Sequence, residues 1–379
     1  MGQKRQNQII IFLFLVLIFG MALASIFAPK KEFSDRENRS LAQMPQLSLE
    51  AYFSGEFAKD YESYITDQFV GRDRWIGLKT GAERAMLKQE SNDIYFAADG
   101  YLIEKHTGSF TEKRAEDNIS YLAGFMKEMK ARYGEGRATA MIVPNAVEIL
   151  KDKLPPFASP YDQSVYLKKI EEALPEGTWF DSAAVLREHT DEEIYYRTDH
   201  HWKTLAAYYV YAAWAKEKGF EPPSLSDYEV QTVTEEFQGT IEAKVGGDVG
   251  FDSIGIFKPK KEFPYLVEYN RNEMKTDIYE WSALETKDKY ALFFGGNHPI
   301  IEGTVKNGSG RRLLVIKDSY ANSFLPFAFR DFSQVDFVDL RYFNESLREY
   351  REGRDYTDIL FLYNASGFAE DPNVAKLKN

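Results

Sequence analysis

Cysteine does not occur anywhere in the 379 residues. Its absence removes disulfide staples, thiolate metal sites and a cysteine nucleophile together, so any covalent catalyst must be Ser, Thr, Lys or a carboxylate. A basic surface is missing as well. The 59 acidic residues outnumber the 47 basic ones, for a formal net charge of −12, and no Lys/Arg cluster supplies the footprint that binding a phosphate backbone requires. Nucleic acid is thereby excluded as a partner. Repeats and low-complexity tracts are also absent, and histidine is scarce, with five in the chain. Apolar material is plentiful: 44% hydrophobic and 15% aromatic content suffices for a packed core in one large or two ordinary domains.

A hydrophobic run of membrane length covers residues 9–28, after an eight-residue tail carrying Lys4 and Arg5. At about 1.5 Å per residue the run crosses a hydrocarbon core of about 30 Å and reads as an uncleaved signal anchor. Ala22-Leu23-Ala24-Ser25 offers the alternative of a cleavage site, which would make the run a removed signal peptide. Lys30, Lys31, Arg36 and Arg39 follow it and, by charge bias alone, oppose export. The short tail and the lack of cysteine favour export. The expectation is a single-pass protein of the cell membrane with its large domain on the extracytoplasmic side.

Residues 29–91 read as a helical stalk, with a helical stretch over 49–88 interrupted at Gly55, Gly71 and Gly77. Asp99-Gly100, between Ile94-Tyr95-Phe96 and Tyr101-Leu102-Ile103, marks a hairpin turn. From about residue 112, helices over 114–132, 161–174 and 205–218 alternate with strands over 139–143, 178–181 and 194–198. Residues 225–310 break the pattern with β-rich, aromatic segments that read as an insertion or lid. Strands over 313–316, 335–340 and 359–363 then resume it, with helices near 323–329 and 345–352. The spacing predicts an α/β fold over residues 92–379, a parallel sheet flanked by helices and built from both sides of the insertion.

Chemistry concentrates in Tyr196-Arg197-Thr198-Asp199-His200-His201-Trp202. On an extended segment Asp199 and His201 share one face and His200 points away. A carboxylate beside an imidazole is the orienting half of a hydrolytic triad. The nucleophile candidate is Ser319, at the turn after the strand over 313–316, in the crevice region beyond strand ends where α/β sites gather. Asn364, directly after the last strand, is a candidate oxyanion donor together with the Ser319 backbone N–H. Each residue has a plainer reading. Ser319 suits a helix cap, His201 a core histidine stacked under Trp202, and Asn364 a turn. Asp199 and the two histidines also suit a metal ion, although consecutive histidines on a strand diverge. His298, in a Gly-rich loop, reads as a turn residue. The insertion's Tyr265, Tyr269, Tyr279 and Trp281 suit either sugar stacking or core packing.

The run Tyr196–Trp202, the Lys317-Asp318-Ser319 turn, and the Val143-Pro144-Asn145 and Asp99-Gly100-Tyr101 segments resemble the DHHW-motif proteins, relatives of the SGNH-type O-acetyltransferases that modify alginate. The resemblance covers roughly residues 92–365. It implies an SGNH-hydrolase-like fold and a triad in which Asp199 orients, His201 is the base and Ser319 attacks. It further implies an O-acetyltransferase or esterase outside the cytoplasm, with a polysaccharide acceptor and a membrane-bound O-acyltransferase as acetyl supplier. No cofactor or metal is called for. The chain departs from SGNH hydrolases in carrying Lys317 where they carry Gly, and this motivates the alternative of a non-catalytic polysaccharide-binding or assembly protein. Arg341 suits either a second oxyanion-donor position or an ion pair with an acid.

Overall fold

The apolar run at the N-terminus folds as one 25-residue helix, α1 (Gln3–Phe27), with none of its residues buried. Its length and composition are those of a membrane anchor or a signal sequence. The computed structural model describes residues 2–34, 36–37, 39–247 and 249–378. It divides into two compact units, Met1–Lys88 with Ala243–Asp248, and Gln89–Glu242 with Val249–Asn379. After α1 the first unit contains helices Leu49–Ser54, Glu56–Asp67 and Arg72–Ala85. The breaks between them fall at Gly55 and Gly71, both at positive φ, where only glycine is free of a Cβ penalty. Gly77 lies inside the third helix and interrupts nothing.

In the second unit, Ile94–Phe96 pairs antiparallel with Leu102–Glu104. Asp99 and Gly100 both take positive φ at the turn, as the sequence pair predicts. The helix expected over 114–132 is α2 (Lys113–Tyr133), and that expected over 205–218 is α3 (Thr204–Glu217). Seven strands form the main sheet: β1 (Ala138–Val143), β2 (Tyr265–Tyr269), β3 (Glu273–Lys275), β4 (Ile300–Val305), β5 (Arg312–Lys317), β6 (Gln334–Val338) and β7 (Asp358–Asn364). Their order is β3-β2-β4-β6-β5-β7-β1.

The β6-β5-β7-β1 half is parallel. Every residue of β1 and β7 is buried, and so are five of the six in β5, the near-continuous apolar pattern of a sheet covered on both faces. The insertion supplies β2, β3 and β4, which extend this sheet antiparallel instead of standing apart as a lid. Its remaining strands, Tyr228–Phe237 and Asp252–Pro259, pair as a separate ribbon.

Two expected strands do not form. Within 178–181 a single bridge joins Trp179 to Ala140, because the Asp181 side chain accepts the Ala184 amide and starts a helix at once. Within 194–198 one bridge joins Tyr195 to Trp202, and the residues between them fold into a bent loop. Parallel register brings Ile316 opposite Val338 and Phe361, and Asn364 opposite Val143. The carboxyl ends of four strands therefore open at one edge, with 318–319, 339–341 and 144–145 directly beyond three of them and Asn364 as the last residue of β7.

Candidate active site

Ser319 lies two residues past β5, and helix α4 (Ala321–Ala328) begins two residues later. The turn is held from inside by Asp318. Its Oδ2 accepts the backbone N–H of Asn364 at 2.7 Å and the Asn364 side-chain amide at 2.6 Å, while its Oδ1 accepts the Tyr320 N–H at 2.9 Å. The Asp318 N–H continues the sheet pairing to the Leu362 carbonyl. Among the described residues the Ser319 N–H has no acceptor, so it is free to donate to a ligand.

Facing the turn is the loop 196–202. Asp199 Oδ1 accepts from His201 Nδ1 at 2.5 Å, and His201 Nε2 stands 2.8 Å from Ser319 Oγ. A carboxylate only accepts, so the imidazole carries its proton on Nδ1 and offers Nε2 as the acceptor for the serine hydroxyl. All three side chains are nearly inaccessible, at 4% for Asp199, 6% for His201 and 9% for Ser319. Burial pushes the Asp199 carboxyl up. The imidazoles of His200 and His201, the His201 hydrogen bond and the Thr240 amide outweigh that push, and the carboxyl stays well below the usual range.

Asp199 and His201 do meet in the structure, but not by the route the sequence suggests. Strand alternation does not bring them together, because the loop is bent: Asp199 Oδ1 also accepts the His201 backbone N–H at 3.0 Å, closing a local turn. His200 accordingly does not point away. Its ring centre lies 3.9 Å from that of His201, and its Nδ1 is 2.8 Å from Thr240 Oγ1. Trp202 is buried, and its Nε1–H donates to the Tyr320 carbonyl at 2.9 Å, tying the histidine loop to the serine turn.

Four residues that the sequence did not single out complete the site, all from the insertion. Thr240 donates its N–H to Asp199 Oδ2 at 2.9 Å and its hydroxyl to the same oxygen at 3.2 Å. Gly239 lets that approach happen, since a Cβ there would fall 2.1 Å from Asp199 Oδ2. Asp252 accepts the Arg197 N–H at 2.9 Å, the Thr198 N–H at 2.8 Å and the Thr198 hydroxyl at 2.7 Å, and so anchors the loop. Tyr290 stacks on His201, with ring centres 3.8 Å apart, and donates its hydroxyl to the Ser319 carbonyl at 3.2 Å. Only Gly239, in a Gln-Gly-Thr turn, carried a local signal.

Asn364 has other partners than an oxyanion. Its amide nitrogen donates to Asp318, and its oxygen accepts from Asn145, Ser366 and Gly367, capping helix α5 (Ala365–Glu370). Lys317 is buried, with its ammonium 2.6 Å from Asn322 Oδ1 and 4.0 Å from Asp339 Oδ2. Burial depresses it to about 8, against the opposing pull of Asp339. Arg341 pairs with a buried acid, forking onto Asp339 at 2.9 and 2.6 Å. His298 packs edge-on to Tyr269 and lies 3.1 Å from the Asn270 amide, and burial holds its imidazole low. Asp199, His200 and His201 each offer one ligand atom within 4.8 Å of the others. Both ring nitrogens of His201 already face Asp199 and Ser319, which leaves that ring no spare donor.

Residues 109–338 match the family model described as DHHW protein. Among solved structures, a DHHW family protein from Eubacterium siraeum superposes with a TM-score of 0.60 at 25% identity, over 76% of this chain and 96% of that one. Bacillus cereus PatB1 with a sulfonyl adduct superposes at 0.62 and 19% identity, over 77% and 98%. The O-acetyltransferase domain of Pseudomonas putida AlgJ gives 0.45 at 12% identity, over 76% and 98%. No curated protein matches the chain by sequence.

Proposed function

The chain belongs to the DHHW protein family, and from that premise we propose that it is an exported, membrane-anchored O-acyltransferase or esterase that acts on a cell-surface polysaccharide through an acyl-serine. The reading is carried by the hydrogen-bonded line from Asp199 through His201 to Ser319, at 2.5 and 2.8 Å. In the mechanism, His201 Nε2 takes the Ser319 proton as Oγ attacks the acyl carbonyl, and Asp199 stabilises the imidazolium that results. The Ser319 N–H, free of any acceptor among the described residues, supplies one donor to the oxyanion. Collapse expels the leaving group, which takes the proton back from His201. A sugar hydroxyl or water then attacks the acyl-serine with the same imidazole as base.

A membrane-bound O-acyltransferase is the proposed acetyl supplier, with α1 holding the domain at the membrane on the extracytoplasmic side. A non-catalytic role on the same fold requires the serine hydroxyl to lie out of the imidazole's reach, and a separation of 2.8 Å favours catalysis instead. The test is Ser319→Ala: acetyl-ester turnover and labelling by a serine-directed phosphonate should both vanish, and full turnover in the variant would refute the proposal.

A further inference from the structure

The carboxyl end of α1 is tied to a later part of its own unit. Ser25, in the last turn of the helix, accepts the Val70 N–H on its hydroxyl at 3.3 Å. Just past the helix, the Lys31 N–H donates to the Gln68 side-chain oxygen at 3.0 Å and the Gln68 amide donates back to the Lys31 carbonyl at 2.8 Å. The Lys30 ammonium lies over the Tyr64 ring, 5.5 Å from its centre. About 20 apolar residues fill the hydrocarbon core of a bilayer, so with 9–28 as the span, residues 25–31 mark where the chain leaves it. Tyr64, Gln68 and Val70 are thereby held at the level of the lipid headgroups.

The two short helices that lead to this point, Leu49–Ser54 and Glu56–Asp67, have no buried residue. They nevertheless carry large apolar side chains. Leu47, Leu49, Tyr52 and Phe53 are between 63% and 82% exposed, and the spacing of the last three puts them on one side of their helix. In the second helix Phe57, Tyr61, Tyr64 and Ile65 fall at i, i+4, i+7 and i+8, a single apolar stripe. Along it the rings of Phe57, Tyr61 and Tyr64 form a ladder, with successive centres 5.8 and 6.1 Å apart. Lys59 and Ser63 take the opposite side.

An uncovered apolar stripe rich in tyrosine, fixed at the mouth of a membrane span, matches the aromatic belt of the bilayer boundary. Its charge selects the kind of surface. Over 49–67, Glu50, Glu56, Asp60, Glu62 and Asp67 stand against one base, Lys59. That excess of acid is repelled by anionic headgroups and leaves apolar burial as the driving force.

We propose that residues 47–65 are a second membrane contact, lying in the headgroup plane with Leu49, Phe53, Phe57, Tyr61 and Ile65 sunk about 5–10 Å into the boundary of a neutral lipid surface. The inference rests on the anchor reading of α1 given above. A lone span lets its unit swivel about the helix axis, whereas a contact beside it fixes the tilt.

The test is depth-resolved fluorescence quenching of the full chain in phosphatidylcholine vesicles. The chain has no cysteine, so Leu15→Cys, Leu49→Cys, Phe53→Cys, Ser63→Cys and Ile65→Cys each give an environment-sensitive dye one address. Labels at 49, 53 and 65 should shift to the blue and be quenched more by a nitroxide near the lipid headgroup than by one near the chain end. The label at 15 should show the reverse order, and the label at 63 should stay in water. Replacing part of the phosphatidylcholine by phosphatidylglycerol should leave the quenching no stronger. Water-exposed labels at 49, 53 and 65 beside a quenched label at 15 would overturn the second contact and spare the anchor. Unquenched labels at 15 and 53 alike would overturn both. A blue shift at 53 that ignores the lipid nitroxides, with disulfide cross-linking of Phe53→Cys between copies, would assign the stripe to a second copy of the chain and overturn the lipid contact.

Discussion

Asp199 is the residue on which the geometry turns. Burial favours its neutral form, yet two imidazoles and the Thr240 amide hold it ionised below the usual carboxylate range. Its folded value therefore lies under the unfolded value of about 3.9, so the stability it contributes is complete above about pH 4 and is lost as pH falls through the folded value. Asp199→Asn should cut phosphonate labelling by about 10³–10⁴-fold, because an amide facing Nδ1 favours the wrong tautomer. Thermal melts of the variant should also fall less steeply than wild type below pH 4. Gly239→Ala isolates orientation from chemistry. Its Cβ would overlap Asp199, 2.1 Å from Oδ2 and 2.2 Å from the Asp199 Cβ, so the loop must shift. A displacement near 1 Å should cost about 10²-fold in labelling rate, against a modest change in melting temperature.

The elements divide into those legible in the sequence and those settled by distant contacts. β1, β5 and β7 were readable because a strand buried on both faces is apolar throughout, and Ser319 because a polar turn after such a strand marks the sheet's carboxyl edge. The Asp199/His201 pair was readable from residue type alone, and its conformation was not. Asp252, more than fifty residues away, bends that loop by accepting three of its hydrogen bonds, and nothing local in 194–202 announces it. Asp252→Ala should destabilise the protein by about 3 kcal/mol in urea unfolding, since it strands three donors. Lys317 was noticed only as a departure from Gly, while its consequence depends on Asn322, Asp339, Arg341 and Asp318 around it. With a folded value near 8 against 10.5 unfolded, the native state sheds this proton first, so stability should rise between pH 8 and 10.5, by up to about 3 kcal/mol. Lys317→Met should flatten that rise in pH-dependent unfolding.

At the scale of the whole molecule, the chain carries an N-terminal helix of membrane length and an α/β unit whose insertion supplies Thr240, Asp252 and Tyr290 around Asp199, His201 and Ser319; the proposed reading is a catalyst held at a membrane surface. The full chain should sediment with membranes after an alkaline wash, and protease added to intact cells should cleave the large unit; release by the wash would count against anchoring. Chelators should leave labelling unchanged, because both His201 nitrogens face protein groups, and loss of labelling restored by a divalent metal would favour the metal-site reading of Asp199, His200 and His201. The most direct test is peptide mass spectrometry of the protein quenched in acid after brief exposure to p-nitrophenyl acetate. An acetyl group should appear on Ser319 in wild type and be absent in His201→Ala. An unmodified Ser319 with turnover intact, or acetyl carried by another residue, would contradict the acyl-serine mechanism.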